Sequence, residues 1–151
     1  QRLLGRICPS CKTKYDISEE ELDACKVKRT TRLKELRFTQ EAIDLAKTKA
    51  TSEAMPYLKN LTIDSSIGDL AFFKGAGCDK CAGTGLKGRQ GVYEVMAMAP
   101  AVRKSIMSQA GAAEIKDTAV SEGMLTLRMD AWMKVMKGIT TIEQMIRETS
   151  A

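Results

Sequence analysis

Four cysteines stand in two matched pairs: Cys8 and Cys11 form the first, and Cys78 and Cys81 form the second. Each pair has the C-x-x-C spacing, which presents two sulfur atoms from one tight turn, here called a knuckle. Two knuckles can close four thiolates around one ion in the tetrahedral geometry that zinc prefers. The sequence has no histidine, which excludes sites that need an imidazole ligand. The spacing therefore predicts a structural zinc site with these four cysteines as its ligands.

Other uses of the cysteines fit the spacing less well. A disulfide framework is disfavoured because no signal peptide is present and five cysteines leave Cys25 over. A thioredoxin-like redox pair should open a helix after a strand, whereas Pro9 follows the leading cysteine of the first pair and glycines follow the second pair. Iron–sulfur ligation uses the same thiolates and stays open beside zinc. We interpret Cys25 as a small apolar core residue and not as a fifth ligand.

The elements before the second knuckle are predicted to be helical. Ser18 and Glu21 have the spacing of a capping box, which should open a short helix. Apolar residues between 33 and 50 recur at helical spacing, which predicts one or two amphipathic helices with Thr39 as a candidate N-cap. Pro56 is expected to end that pattern.

The second knuckle is predicted to lie between two strands, residues 71–74 and 91–96, which would form a metal-stapled hairpin. The loop between them, residues 83–88, reads G-x-G-x-x-G. A dinucleotide site needs that motif between a strand and a helix, and here a knuckle precedes it and a strand follows it. The glycines are instead expected to adopt positive φ and to let backbone N–H groups approach the cysteine sulfurs.

The remainder of the chain is predicted to be helical. An apolar stripe centred on Trp132 is expected to pack in the core. Thr140 and Glu143 have capping-box spacing, which predicts the start of the last helix. The predicted helices span residues 101–109, 112–122, 126–137 and 141–149. The fold class is therefore mainly α with a small zinc-stapled β-hairpin and a C-terminal bundle of short helices.

Composition and charge limit the remaining possibilities. A chain of 151 residues with 44% hydrophobic residues can build one or two small domains with a modest core. No apolar run approaches the roughly 18 residues of a membrane span. The chain begins at Gln1 without a signal sequence, and we expect a fragment of a longer cytosolic protein.

The net charge of +5 is concentrated in residues 26–49, which hold eight basic and three acidic side chains. Such a block can bind nucleic acid, anionic lipid or an acidic protein surface. A solvated helix face is the favoured interpretation, because Phe38 is the one aromatic residue in the block that could stack on a base. The alternative function is a zinc-ribbon nucleic-acid-binding module that uses this segment.

Several strings of the sequence resemble one known family. QRL, CPSC, GCDKCAGTGLKGRQGVYEV and GITTIEQM are similar to the C-terminal zinc-binding region of the type II secretion and type IV pilus assembly ATPases. The resemblance covers residues 1–24 and 71–149. It implies that the four paired cysteines bind zinc, that a RecA-like ATPase core precedes this region, and that the parent protein is a hexamer. It also implies an inner-membrane platform protein as partner and a cytoplasmic location at that membrane. CDKCAGTG also resembles one unit of the J-domain co-chaperones, but the first knuckle lacks the glycines of that unit.

The resemblance defines an expected function for this fragment. The sequence has no G-x-x-x-x-G-K-[ST] motif, no Walker B strand and no histidine box. We therefore expect a non-catalytic, zinc-binding C-terminal domain of a motor ATPase, which serves as a structural and docking element. ATP and Mg²⁺ would belong to the parent core, and no small-molecule substrate is expected here. The expected domain division is a first knuckle with a short helix (1–24), a basic helical insertion (25–70), a second knuckle in a hairpin (71–98) and a helical subdomain (99–151).

Overall fold

The computed structural model describes residues 1–150. The strands are β1 (Arg2–Ile7), β2 (Lys12–Tyr15), β3 (Phe72–Gly75) and β4 (Leu86–Val92). The helices are α1 (Glu19–Ala24), α2 (Gln40–Thr48), α3 (Met55–Leu58), α4 (Pro100–Met107), α5 (Ala112–Ser121), α6 (Leu127–Met136) and α7 (Ile142–Thr149). The predicted fold class, mainly α with small β elements and short C-terminal helices, is confirmed.

The strand pairing differs from the predicted local hairpin. β1 pairs antiparallel with β4, and β2 pairs antiparallel with β3. The strand after the second knuckle lies at Leu86–Val92 and not at residues 91–96. Pairing with β1 buries Leu4, Ile7 and Val92 in the core, and a local hairpin would not bring these side chains together. As a result, the first knuckle joins β1 to β2 and the second joins β3 to β4.

Side-chain caps define the starts of α1 and α2, as predicted. Ser18 accepts a hydrogen bond from the Glu21 backbone N–H, and the Glu21 carboxylate accepts one from the Ser18 N–H at 3.0 Å. Thr39 accepts from the N–H of Ala42 at the start of α2. The role predicted for Pro56 is wrong. α2 already ends at Thr48, and Pro56 lies in the first turn of α3, where a missing N–H costs no helical hydrogen bond.

The four C-terminal helices are confirmed, but the predicted cap of the last one is wrong. Thr141 is the N-cap of α7, and its hydroxyl accepts from the N–H of Gln144. The Thr140 hydroxyl is buried and donates instead to the carbonyl of Gly5 at 2.7 Å. The Thr140 side chain, which the local spacing predicted as the cap, is therefore used in a tertiary contact with β1.

Replacing Thr141 with alanine is expected to destabilise the protein by about 1 kcal/mol, because the Gln144 N–H at the first turn of α7 loses its acceptor. Urea unfolding followed by circular dichroism measures this change. An unaltered transition midpoint would show that the cap contributes nothing to stability.

One hydrophobic core joins the two sheets, α6 and α7 with residues 25–70, here called the middle segment, which contain α2 and α3. Trp132 and the neighbouring Met129 and Met136 are buried in it, which confirms the predicted core stripe. α4 and α5 pack on each other around a separate, smaller cluster that includes Val102 and Ala119. Within residues 1–150, no helix combines the length and apolarity needed to cross a membrane.

Candidate metal centre

The structure brings the four paired cysteines together at the point where the two sheets meet. Their Sγ atoms all lie within 4.8 Å of one another. The Sγ of Cys8 is 3.9 Å from the Sγ of Cys78. The Sγ of Cys81 is 3.8 Å from that of Cys11 and 3.7 Å from that of Cys78. A tetrahedral zinc ion with Zn–S bonds of about 2.3 Å requires sulfurs about 3.8 Å apart. The spacing also exceeds the roughly 2.05 Å of a disulfide. The cluster could therefore bind a metal such as zinc.

The two knuckles contain the same backbone hydrogen bond, and further backbone bonds link the first knuckle to the residues around the second. The N–H of Cys11 donates to the carbonyl of Cys8, and the N–H of Cys81 donates to that of Cys78. Across the site, the Cys8 N–H donates to the carbonyl of Gly85 at 2.9 Å. On the opposite side, the Ala76 N–H donates to the Cys11 carbonyl at the same distance. The two bonds thus attach both cysteines of the first knuckle to residues that flank the second knuckle.

The glycine loop supplies donors to the sulfurs, as predicted from the sequence. Gly85 has a φ of 72°, and its N–H donates to the Sγ of Cys81 at 3.2 Å. The N–H of Cys78 donates to the same sulfur at 3.2 Å. Such hydrogen bonds from the backbone stabilise a thiolate and orient it as a ligand.

The pKa values of two cysteines in the cluster are shifted in opposite directions. Burial acts to raise the pKa of Cys81, but the N–H groups of Cys78 and Gly85, with the neighbouring thiols, lower it to about 6. Burial raises the pKa of Cys11 to about 11, with the backbone of Gly77 opposing and the other three thiols assisting. The protein alone therefore favours a thiolate at one position and a thiol at another. A bound cation would supply the positive charge that keeps all four sulfurs ionised.

Gly75 and Thr84 shape the site and were not identified from the sequence. A Cβ on Gly75 would lie 2.1 Å from the carbonyl oxygen of Gly85. The Thr84 hydroxyl donates to the Cys81 carbonyl at 2.7 Å. Thr84 lies inside the G-x-G-x-x-G motif, so the motif could have indicated that this residue is close to the site. Gly75 has no such signal, because the residue it contacts comes ten positions later in the chain.

Cys25 lies outside the cluster, partly buried against the core, as predicted. Burial raises its pKa to about 11, with Arg128 opposing and Glu21 assisting.

At pH 8 we expect Cys25 to be alkylated by iodoacetamide roughly a hundredfold more slowly than an exposed cysteine of ordinary pKa. The thiol loses its proton at about pH 8.5 in the unfolded chain, whereas in the folded protein it keeps its proton up to about pH 11. The free energy of unfolding therefore falls as the pH rises between these two values. Peptide mass spectrometry of the time course measures the rate. Rapid alkylation of Cys25 in the folded protein at pH 8 would contradict the raised pKa of this thiol.

The basic block lies on the surface, where carboxylates pair with several of its side chains. The observed pairs, with N–O distances of 2.5 to 2.9 Å, are Arg29 with Glu19, Lys34 with Asp64, Arg37 with Asp117, and Lys47 with Asp44. These pairs reduce the positive field of residues 26–49 and agree with a solvated surface. The Arg37 pair also connects the middle segment to α5.

The model for the family described as Type II/IV secretion system protein matches residues 1–147. The match includes the middle segment, which the sequence resemblance did not cover.

The individual relatives are secretion and pilus proteins. The chain is 38% identical over 86 residues to the type IV pilus assembly ATPase PilB of Thermus thermophilus, which covers 57% of this chain and 10% of that protein. It is 33% identical over 150 residues to the PilB of Acinetobacter baylyi, covering 99% of this chain and 20% of the relative. It is 26% identical over 149 residues to the type II secretion system protein E of Aeromonas hydrophila, covering 99% and 22%.

The chain therefore spans between a tenth and about a fifth of the length of these relatives. The family match extends over nearly all of the chain, and the cysteine cluster lies inside it. The resemblance inferred from the sequence is confirmed: this chain belongs to the type II/IV secretion system protein family.

Proposed function

We propose that this chain is a non-catalytic, zinc-binding C-terminal domain of a motor ATPase that drives type II secretion or type IV pilus assembly. Membership of the family supports the assignment to the motor, since relatives that align with nearly the whole chain are named as pilus assembly ATPases. ATP and Mg²⁺ would bind in the core of the parent protein. The parent would work in the cytoplasm at the inner membrane.

The four cysteines are the proposed zinc ligands. The observation that carries this proposal is the approach of all four Sγ atoms to within 4.8 Å, from two knuckles that lie 70 residues apart. An all-sulfur donor set favours zinc or iron over magnesium or calcium. The matched S–S distances and the N–H donors to Cys81 fit a closed structural site.

The proposed role of the ion is mechanical. Because each knuckle connects one sheet to the other, an ion held by both knuckles would lock the two sheets into one rigid body. Such a body could transmit movement between the parent ATPase core, a neighbouring protomer of the ring and a platform protein in the inner membrane. Its proposed structural units are residues 1–24, 25–70, 71–98 and 99–151. The unit 25–70 contributes side chains to the common core.

Elemental analysis of the purified chain by inductively coupled plasma mass spectrometry tests the proposal. We expect about one zinc ion per chain, and loss of secondary structure when a chelator removes it. One iron per chain would instead identify an iron site at the same cysteines. A fully folded, reduced protein without metal would overturn the structural role of the cluster.

The motor assignment has its own test. In the parent protein, serine at the cluster positions should abolish pilus assembly or secretion while the separate ATPase core still binds nucleotide. Normal assembly by a metal-free variant would show that the site is dispensable for the motor.

A further inference from the structure

The segment that follows β4, residues 93–98, is exposed along its whole length. It runs without a turn or a bend from the end of β4 to the start of α4. Four of its side chains are large, apolar and 42 to 73% exposed, namely those of Tyr93, Val95, Met96 and Met98. They occupy odd and even positions, so in an extended chain they point to both faces. Contiguous exposed apolar surface of this kind marks an interaction site.

The backbone of this segment is unpaired in the fold. Within residues 1–150, the N–H groups of residues 94–98 donate to no acceptor, and the carbonyl groups of residues 93–98 accept from no donor. β4, by contrast, is paired with β1 up to Val92. Main-chain groups that are free along an extended segment are the template on which a further strand can be added.

Contacts with α5 and α6 hold the start of the segment in place. The Tyr93 N–H donates to the Asp130 carboxylate at 2.8 Å, and the Glu94 carboxylate accepts from the Leu127 N–H at 3.0 Å. The Nζ of Lys116 lies 3.5 Å from the same oxygen of Glu94. The free backbone is therefore presented in a fixed position, which lowers the entropy cost of binding a partner.

Residues 95–98, Val-Met-Ala-Met, contain neither a charged residue nor a proline. Those residue types protect a free strand edge from pairing, so their absence indicates an edge that is covered in the working protein. A strand with one wet face alternates polar and apolar residues, whereas a strand of an α/β sheet is buried on both faces and has a continuous apolar run. The segment therefore fits a sheet with covered faces.

The segment begins beside the point where the chain enters the fold. In the antiparallel ladder of β1 and β4, Arg2 pairs with Val92, which brings Gln1 to the level of Tyr93. Polypeptide that precedes Gln1 in the parent protein would therefore start next to the exposed segment. Its covalent connection would give it a high effective concentration there, compared with a separate protein of the same chemistry.

We propose that residues 93–98 are the docking site for a β-strand of the ATPase core; this rests on the proposed function, which places that core before Gln1. P-loop ATPase cores contain a sheet, since the P-loop itself connects a strand to a helix. The added strand would bond to the free N–H and carbonyl groups of the segment, and its neighbours in the core would cover the exposed apolar side chains. The zinc-binding domain would thereby share a sheet with the core and move with it as one body.

Hydrogen–deuterium exchange of the parent protein and of this chain, compared under the same conditions, tests the proposal. The amides of residues 94–98 should exchange at nearly the unprotected rate in this chain and roughly a hundredfold or more slowly in the parent. Val95→Lys should leave the melting temperature of this chain unchanged, because the Val95 side chain is 73% exposed, and should reduce the protection in the parent by roughly tenfold. Leu45→Lys is the matched control, because Leu45 is 53% exposed on α2 and should leave that protection unchanged.

Proline variants distinguish strand pairing from coverage by side chains alone. The N–H groups of neighbouring residues in a strand point to opposite edges. At least one of Met96→Pro and Ala97→Pro should therefore abolish the protection in the parent, since proline cannot donate to the added strand. Neither should lower the melting temperature of this chain, where both N–H groups are unpaired within residues 1–150. Full protection in both variants would overturn the proposal.

Equal exchange rates of these amides in the two proteins would also overturn it. Protection that appears in this chain alone and rises with its concentration would do the same, and would assign the surface to a second copy. Zinc content and pilus assembly or secretion are measured with the same parent protein. Slow exchange in a parent that holds no zinc would support the docking site and contradict the zinc site alone. Fast exchange in a parent that binds zinc and supports assembly would overturn the docking site alone.

Discussion

Replacing Cys8 with serine is expected to reduce the metal content from about one ion per chain to nearly zero and to unfold the region around both knuckles. Cys8 is fully buried, and its backbone N–H already links the first knuckle to Gly85 in the glycine loop after the second knuckle. Structural zinc contributes on the order of 10 kcal/mol or more to the folding of small zinc domains. Loss of the ion should therefore outweigh any single packing change elsewhere in the chain.

Cys25→Ser is the matched control for this experiment. This variant makes the same cysteine-to-serine change at a residue outside the cluster, so the protein should retain its full metal content. Elemental analysis, circular dichroism and thermal melts of the two variants give the comparison. A Cys8→Ser protein that melts like the unmodified chain would refute the structural role of the site.

Gly75→Ala is expected to lower the stability by about 3 kcal/mol and to weaken metal binding. The added Cβ would lie 2.1 Å from the carbonyl oxygen of Gly85 and 2.5 Å from its Cα, and these are backbone atoms that cannot rotate away. To relieve the clash, β3 must separate from the glycine loop. That movement would also displace the Gly85 N–H that donates to the Cys81 sulfur.

A second glycine provides the control for this prediction. Gly111 has no atom within 4 Å of an added Cβ and has a φ of −65°, which alanine adopts freely. Gly111→Ala should cost under about 1 kcal/mol, since only the preference for glycine at an N-cap is lost. Competition for the metal with a coloured chelator, together with urea unfolding, measures both effects. Equal behaviour of the two variants would show that the contact between β3 and the glycine loop has no energetic role.

The sequence by itself determined the features that depend on neighbouring residues. The C-x-x-C spacing identified the four sulfurs that the fold brings together, because a tight turn of four residues is set by local backbone geometry. Ser18 and Thr39 marked the starts of α1 and α2, because a cap bonds an N–H three residues away. The strings around the second knuckle were long and specific enough to indicate the family.

Only the tertiary structure decided which strands pair and which side chains meet across the fold. The pairing of β1 with β4 joins residues that are 79 to 90 positions apart in the chain, and it is favoured because it buries Leu4, Ile7 and Val92 together. Thr140 and Thr141 are both threonines near the start of α7, and Thr140 donates to the carbonyl of Gly5 while Thr141 caps the helix. Local spacing does not encode these contacts, because their energy comes from burial and hydrogen bonds between residues that are neighbours only after folding.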